Sequence, residues 1–362
     1  MKSITKTLTT LTVMIFLTAC NSNGSNETIK IQPKPTLKET LDTAINTNIA
    51  ESEPGMAIMI LKDNNVIYQY SRGLANKSSN ILINSSTGFR LASISKTFTA
   101  LAIMQLYEQG SINLNDKITD YISFLPQEWN EITIHHLLSH QSGILDYAND
   151  FNYDQISTNE ITNTNILAFL SDHKELEFEP GTKAEYSNSG YVILAEILEV
   201  VTAKSLNEYL KENIFDPQSF SNTYILDEGI MIKNSDAQNH GTTDLIFNHK
   251  YSATGGAGQV SSLEDMRLLS QALLNDQIVT QETKALMIKN HNENLPGDLN
   301  YGYGFVLNLE GPAYAHSGSH DGFKTYFLIN PETKVTAIIL GNGGDTLPDY
   351  FYLLELAGPF MN

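Results

Sequence analysis

The chain of 362 residues contains a single cysteine, Cys20, so no intramolecular disulfide can brace it and no zinc site can be built from several cysteines. Basic residues are scarce: 22 lysines and arginines stand against 41 aspartates and glutamates, a net charge of -19. A chain this acidic has no basic stripe to neutralise phosphates and no polybasic hold on anionic lipid, which argues against nucleic-acid partners and against electrostatic membrane binding. Its acidity reads as solubility. After the first twenty residues no stretch reaches the ~18 consecutive apolar residues of a membrane-spanning helix. No internal repeat is present. What the chain does have is apolar material, 41% of its residues, enough for one large core or two smaller ones.

The N-terminus reads as an address. Lys2 and Lys6 precede an apolar stretch densest from Leu11 to Ala19, which is the pattern of a secretory signal over residues 1–19. The run ends Leu17-Thr18-Ala19-Cys20 and resembles the lipobox of bacterial lipoproteins. That resemblance implies cleavage before Cys20 and acylation of its sulfur, and several acyl chains on one residue anchor stably where a single chain does not. Residues 20–36 are polar, with Gly24, Pro33 and Pro35, and read as a tether between a membrane and the body at 37–362. The expectation is a protein secreted and lipid-anchored in a bacterial cell envelope, on the outer membrane or facing the periplasm if the organism has two membranes.

Along the body, Leu37, Leu41 and Ile45 repeat at helical spacing. Two strand-like runs follow, Gly55 to Leu61 and Val66 to Tyr70, with a hairpin turn from Lys62 to Asn65. The region from about 100 to 250 is helix-rich: Phe98, Leu101, Met104 and Tyr107 share one helical face ended by Gly110, and Leu194, Ile197, Leu198 and Val201 make another. Strand character returns over about 301–341, where Gly322 to Ile329 and Val335 to Leu340 flank the turn Asn330-Pro331-Glu332-Thr333, and a last helix is expected over 348–357. Strands at both ends with helices between predict an α/β (α+β) fold, an antiparallel sheet built from both termini with an inserted helical domain.

Three short patterns carry chemistry. Ser93 and Lys96 form Ser-x-x-Lys at the head of a long amphipathic helix, so the lysine can reach the hydroxyl and act as its base. Ser3/Lys6 and Ser171/Lys174 repeat the spacing without that context. Tyr186-Ser187-Asn188 follows a Pro-Gly loop and precedes a helix. A phenolate can accept or relay a proton, and the Asn side chain can hydrogen-bond a substrate amide. Tyr147-Ala148-Asn149 has the same spacing. His316-Ser317-Gly318-Ser319 precedes the C-terminal hairpin, with His320-Asp321-Gly322 as an overlapping rival. Gly318 would let substrate lie close to a strand, and the backbone N–H of Ser319 could pair with that of Ser93 as an oxyanion hole. His136 and His140, four apart, lack the pattern of a zinc helix, and the glycines at 255–258 lack the Lys-Ser/Thr of a phosphate loop.

Taken together and in this order, the patterns resemble the serine β-lactamase and penicillin-binding-protein superfamily, in its class C-like and D-Ala-D-Ala carboxypeptidase branch. Residues 132–144 (ITIHHLLSHQSGI) and 252–266 (SATGGAGQVSSLEDM) add to the likeness, which runs from about residue 40 to about 345. The resemblance implies a β-lactamase/transpeptidase-like fold in which Ser93 attacks a carbonyl, Lys96 and Tyr186 manage its proton, and Asn188, His316, Gly318 and Ser319 bind substrate. An acyl-enzyme is then hydrolysed, with neither metal nor organic cofactor. Class C β-lactamases usually carry Lys-Thr-Gly at the third element, whereas this chain has His-Ser-Gly. The histidine form resembles D-Ala-D-Ala carboxypeptidases, D-aminopeptidases and some esterases. A neutral imidazole holds a carboxylate less strongly than an ammonium does, and its charge would vary near neutral pH. The expected activity is therefore D-Ala-D-Ala carboxypeptidase- or D-peptidase-like, or esterase-like, on a small peptide or ester. β-Lactam hydrolysis and a penicillin-binding receptor without turnover are the alternatives. No oligomeric state follows from the sequence.

Overall fold

Strands from the two ends of the chain meet in the middle of one sheet. The structure, a computed structural model, describes residues 34–150, 161–226, 230, 232–239, 253–308, 311–320 and 322–361. The signal-like segment, Cys20 and the tether as far as residue 33 lie outside the described residues, as does Asp321. In chain order the elements that matter here are α1 (Leu37–Asn48), β1 (Met56–Lys62), β2 (Asn65–Arg72), α2 (Ser95–Glu108), α3 (Ile134–Leu138), α4 (Asn163–Asp172), α5 (Asn188–Thr202), α6 (Leu263–Leu274), β3 (Val306–Leu307), β4 (Tyr314–His320), β5 (Phe323–Asn330), β6 (Val335–Gly341) and α7 (Tyr350–Met361). The sheet runs β2-β1-β6-β5-β4-β3. All its pairings are antiparallel, as expected, and β1 meets β6 in register from Met56 opposite Gly341 to Lys62 opposite Val335.

The unbroken apolar run in β1 has a physical reason, since both faces of the strand are covered. Met56, Ile58 and Ile60 pack with Leu41 and Ile45 of α1 and Leu353 and Ala357 of α7. Ala57, Met59 and Leu61 face the larger core, which they share with α2, α5 and α6. The β1–β2 turn narrows to Asp63 and Asn64, both left-handed at φ 50° and 62°, the geometry whose twist suits a two-residue hairpin. Helix α7 starts and ends later than expected and carries Pro359 inside it.

Helix α2 departs from the amphipathic expectation. Every residue from Ser95 to Met104 is buried, because the helix packs against α5 and the Leu206–Leu210 helix inside the larger core. From Thr36 onward the chain forms one compact unit. The helices between the two halves of the sheet share its inner core.

Asn342, fully buried just past β6, ties the two ends together. Its Oδ1 accepts the Gly55 N–H at 2.9 Å, and its Nδ2 lies 3.2 and 3.1 Å from the carbonyls of Leu74 and Ala75. Replacing it leaves the buried Gly55 N–H unpaired and takes a donor from the buried carbonyls, so Asn342→Ala is expected to lower unfolding stability by roughly 2–3 kcal/mol. Urea denaturation checks this, and a midpoint equal to that of the wild type contradicts it.

Candidate active site

Two strands hold the turn that carries Ser93. Phe89 and Arg90 pair with Ser261 and Val260, and the Leu91 N–H donates to the Gln259 carbonyl at 2.8 Å. The chain then bends through Ala92, left-handed at φ 50°, into a single 3-10 turn, Ala92–Ile94, that leads into α2. Ser95 Oγ accepts the Gln259 N–H at 3.1 Å and closes the clamp. On the other side stands β4. A Cβ at Gly318 would lie 2.1 Å from the Leu91 carbonyl oxygen and 2.3 Å from Thr325 Oγ1. Thr325 itself donates to that carbonyl at 2.8 Å. The glycine is thus required by the nucleophile turn seated on the strand, a different reason from the substrate clearance expected of it.

Lys96 is wholly buried. Its Nζ donates to Asn188 Oδ1 at 2.7 Å and to the Gly256 carbonyl at 2.9 Å, and lies 3.5 Å from Ser93 Oγ. A neutral amine has two hydrogens and one lone pair. The three oxygens match the three hydrogens of the ammonium; once one proton is lost, Asn188 and Gly256 can hold the two that remain and the lone pair is left for the serine hydroxyl. Burial brings the lysine down to about 7, with the carboxylate of Asp146 opposing the shift. The glycines at 255–258 make this contact possible. Gly255 is left-handed at φ 94°, a Cβ there would lie 2.1 Å from the Tyr191 carbonyl, and its own carbonyl accepts from Thr99 Oγ1 at 2.8 Å.

Tyr186 and Asn188 reach the same place from the start of α5, where Ser187 Oγ accepts the Gly190 N–H at 3.4 Å. The Tyr186 ring centre is 4.9 Å from Lys96 Nζ, and its buried hydroxyl has no hydrogen-bond partner. Burial pushes the phenol well above its ordinary range; the Ser93 hydroxyl is near enough to oppose this, though without hydrogen-bond geometry. Tyr186 therefore stays a protonated phenol at neutral pH, a donor, in place of the phenolate acceptor considered from the sequence.

His316 lies in the middle of β4 and is 2% exposed. Its Nδ1 is 2.7 Å from the Ser317 carbonyl, which can only accept, so Nδ1 carries the hydrogen and Nε2, 2.9 Å away, accepts from the Tyr301 hydroxyl. Burial, and after it the charge of Lys96, holds His316 down at about 3. It does not titrate near neutral pH, contrary to expectation, and it presents no cation to a carboxylate. Ser319 is exposed on β4 opposite Lys324. Among the described residues β3 covers the outer edge of β4 only at Tyr314 and Ala315, so the edge at Ser317 to His320 has no strand beside it.

Sequence reasoning weighed His140 only as half of a zinc pair, and it passed over Tyr301 and Asp146. His140, left-handed at φ 62°, accepts the Ser187 N–H on Nδ1 at 3.1 Å, which leaves a buried, unpartnered Nε2–H. Its ring sits 4.5 Å from that of Tyr186 and 4.4 Å from that of Tyr301. His136, by contrast, turns its Nδ1 to the Thr133 N–H in its own helix cap. Tyr301 had no signal in its spacing, and only its contacts with His316 and His140 bring it in.

The chain matches the Beta-lactamase family over residues 41–358. It belongs to that family. A penicillin-binding protein of Bacillus subtilis (strain 168) is 27% identical over 85% of this chain and 72% of its own length. The protein flp of Staphylococcus aureus (strain MW2) is 26% identical over 84% of this chain, which spans 63% of that protein. Among solved structures, an octameric penicillin-binding protein homologue from Pyrococcus abyssi superposes with a TM-score of 0.77 at 28% identity, covering 88% of this chain and 76% of that one. A D-amino acid amidase from Ochrobactrum anthropi SV3 shares the fold at TM-score 0.72 and 23% identity, covering 90% and 96%. The chain is a serine hydrolase of the β-lactamase and penicillin-binding-protein fold.

Burial depresses several histidines: His136, His291 and His320 to about 4, His316 to about 3, and His140 well below its ordinary value. In the unfolded chain each returns to about 6.5, so their contribution is fully present above that pH and is lost as pH falls through the folded values. The melting temperature is expected to drop steadily from pH 6.5 towards 4, and His316→Gln to flatten part of that slope. A melting temperature constant over this window contradicts the assignment.

Proposed function

We propose that this hydrolase works by acyl transfer through Ser93, with Lys96 as the base, on D-peptides or small esters in the manner of the D-Ala-D-Ala carboxypeptidase and esterase branch of its family. The observation that carries the reading is the hydrogen-bond count at Lys96. Three oxygens hold the ammonium, and when it loses a proton Asn188 and Gly256 keep the two remaining hydrogens, so the lone pair falls to Ser93 Oγ 3.5 Å away. In this scheme Oγ attacks the substrate carbonyl while Nζ takes its proton. The backbone N–H groups of Ser93 and Ser319 hold the oxyanion. The Tyr186 hydroxyl passes a proton to the leaving group and recovers it from Lys96, and Asn188 orients the substrate. Water, deprotonated along the same route, then releases the acid and restores Ser93.

His316 supports the peptide or ester side of the choice. Being neutral and engaged on both nitrogens, it gives no cation for the carboxylate of a β-lactam or of a C-terminal D-alanine, so among peptides and esters it favours those without a carboxylate beside the scissile bond. β-Lactam hydrolysis, or a stable penicilloyl adduct without turnover, is the competing outcome. The Leu17-Thr18-Ala19-Cys20 stretch supports action at the cell envelope from a lipid on Cys20. Wild type is expected in the detergent phase of a cloud-point extraction and Cys20→Ser in the aqueous phase; wild type in the aqueous phase removes the anchor.

The central test is labelling of Ser93 by a fluorophosphonate and by a fluorescent penicillin, with the modified peptide read by mass spectrometry. The rate is expected to rise with pH through an apparent pKa of about 7, as Lys96 loses its proton, and to level above it. Ser93→Ala abolishes the label, and Lys96→Met slows it by about 100-fold or more. Label that persists in Ser93→Ala, or no label from either probe, sinks the reading. Penicillin label that turns over quickly, with no peptide or ester turnover, moves the protein to the β-lactamases.

A further inference from the structure

Asn188 can serve Lys96 only if its amide points the right way. Its two ends are nearly equal in shape and opposite in hydrogen-bonding character, and turned over it would aim an NH2 at the lysine. What prevents this is Asp146. Its Oδ2 accepts from Asn188 Nδ2 at 2.9 Å, and its Oδ1 accepts the backbone N–H groups of Asn188 and Ala148, both at 3.2 Å. A carboxylate offers no hydrogen, so only the NH2 can face it, and the amide oxygen is left to face Lys96 at 2.7 Å. The segment carrying Asp146 is docked on the same helix. Ser189 Oγ donates to the Leu145 carbonyl at 2.7 Å and accepts the Tyr147 N–H at 2.9 Å.

We propose that Asp146 is a positioning residue for acyl transfer: it locks the Asn188 amide with its oxygen toward Lys96 and supplies the negative charge that the lysine feels. Asp146, Asn188, Lys96 and Ser93 then form one chain of directed hydrogen bonds that ends at the nucleophile. The other groups facing Lys96 leave it as the source of that charge. Ser93 and Gly256 present neutral oxygens to the lysine. Tyr186 and Tyr191 lie with ring centres 4.9 and 5.7 Å from Nζ, and burial keeps both protonated. His140, His316 and His320, which feel the lysine's charge, are neutral by burial. Among the described residues Asp146 is the one acidic group that bears on the lysine.

The inference rests on Ser93 and Lys96 as nucleophile and base, and its test separates the two. Asp146→Asn keeps the shape but loses the charge and the obligatory acceptor; Asp146→Glu keeps the charge. For wild type and both variants, the second-order rate of Ser93 labelling by fluorophosphonate and by fluorescent penicillin is followed against pH, with thermal melting measured alongside. Asp146→Asn is expected to move the acid limb down by about half a pH unit or more and to lower the plateau tenfold or more. Asp146→Glu is expected to keep the limb where it is in the wild type, and it is the contrast between the two variants that a merely structural role at this position would not predict. Label in the wild type with an unmoved limb and plateau in a folded Asp146→Asn overturns the role of Asp146 alone. No label in the wild type overturns the Ser93–Lys96 reading and this inference with it. If Asp146→Asn does not fold, Asp146→Ser takes its place, with the same fall of limb and plateau expected and an unmoved limb and plateau overturning the role; a limb shifted in Asp146→Glu despite the retained charge overturns it as well.

Discussion

An amine with no access to water, two hydrogen-bond acceptors and a hydroxyl beside it is the constraint around which the centre of this molecule is arranged. Placing Lys96 there as a bare ammonium is costly, and the surroundings answer with neutrality. The nearby histidines are held uncharged, two tyrosines keep their protons, and backbone and amide oxygens take the N–H groups. The glycines at 255–258 and the start of α5 share this purpose, because each brings an oxygen within reach of one nitrogen.

The fold delivers these parts from distant stretches of chain. The Ser93 turn is held between the strand around Gln259 and β4, and the left-handed Ala92 aims it. A non-glycine residue in that conformation is uncommon and costs energy. Here the surrounding hydrogen bonds over-determine it, so the bend survives. β4 can approach so closely only because Gly318 has no side chain. One residue therefore links the sheet to the nucleophile turn more tightly than ordinary strand–helix packing would.

Much of this was legible in the sequence. The apolar run from Gly55, the strand-like C-terminal runs and their turns foretold an antiparallel sheet from both termini, because strand patterning is local. The order Ser-x-x-Lys, Tyr-x-Asn, His-x-Gly foretold which residues would meet. What could not be read was set by burial and by contacts remote in sequence. The all-round burial of α2, the protonated state of Tyr186 and the engaged ring of His316 depend on what packs against each residue, as with Tyr301 from a separate loop. The pairing of Asp146 with Asn188 spans 42 residues and leaves no periodic trace. Gly318 was expected to leave room for substrate, whereas the neighbour that needs its missing side chain is the Leu91 carbonyl.

The closure of the sheet has a kinetic side. The Gly55–Asn342 hydrogen bond joins positions 287 residues apart, and β1 has β2 and β6 for neighbours. Until β6 leaves the ribosome, β1 and β2 form only a hairpin, which is marginal by itself in water. Synthesis at about 5–20 residues per second puts roughly 15–60 s between the emergence of the two halves of that contact. For that interval the most apolar strand lacks its partner, and the nucleophile turn lacks the strand on which it sits. Assembly of the catalytic geometry is therefore a late event tied to completion of the chain, and truncation inside β5 or β6 removes the site together with the sheet's centre.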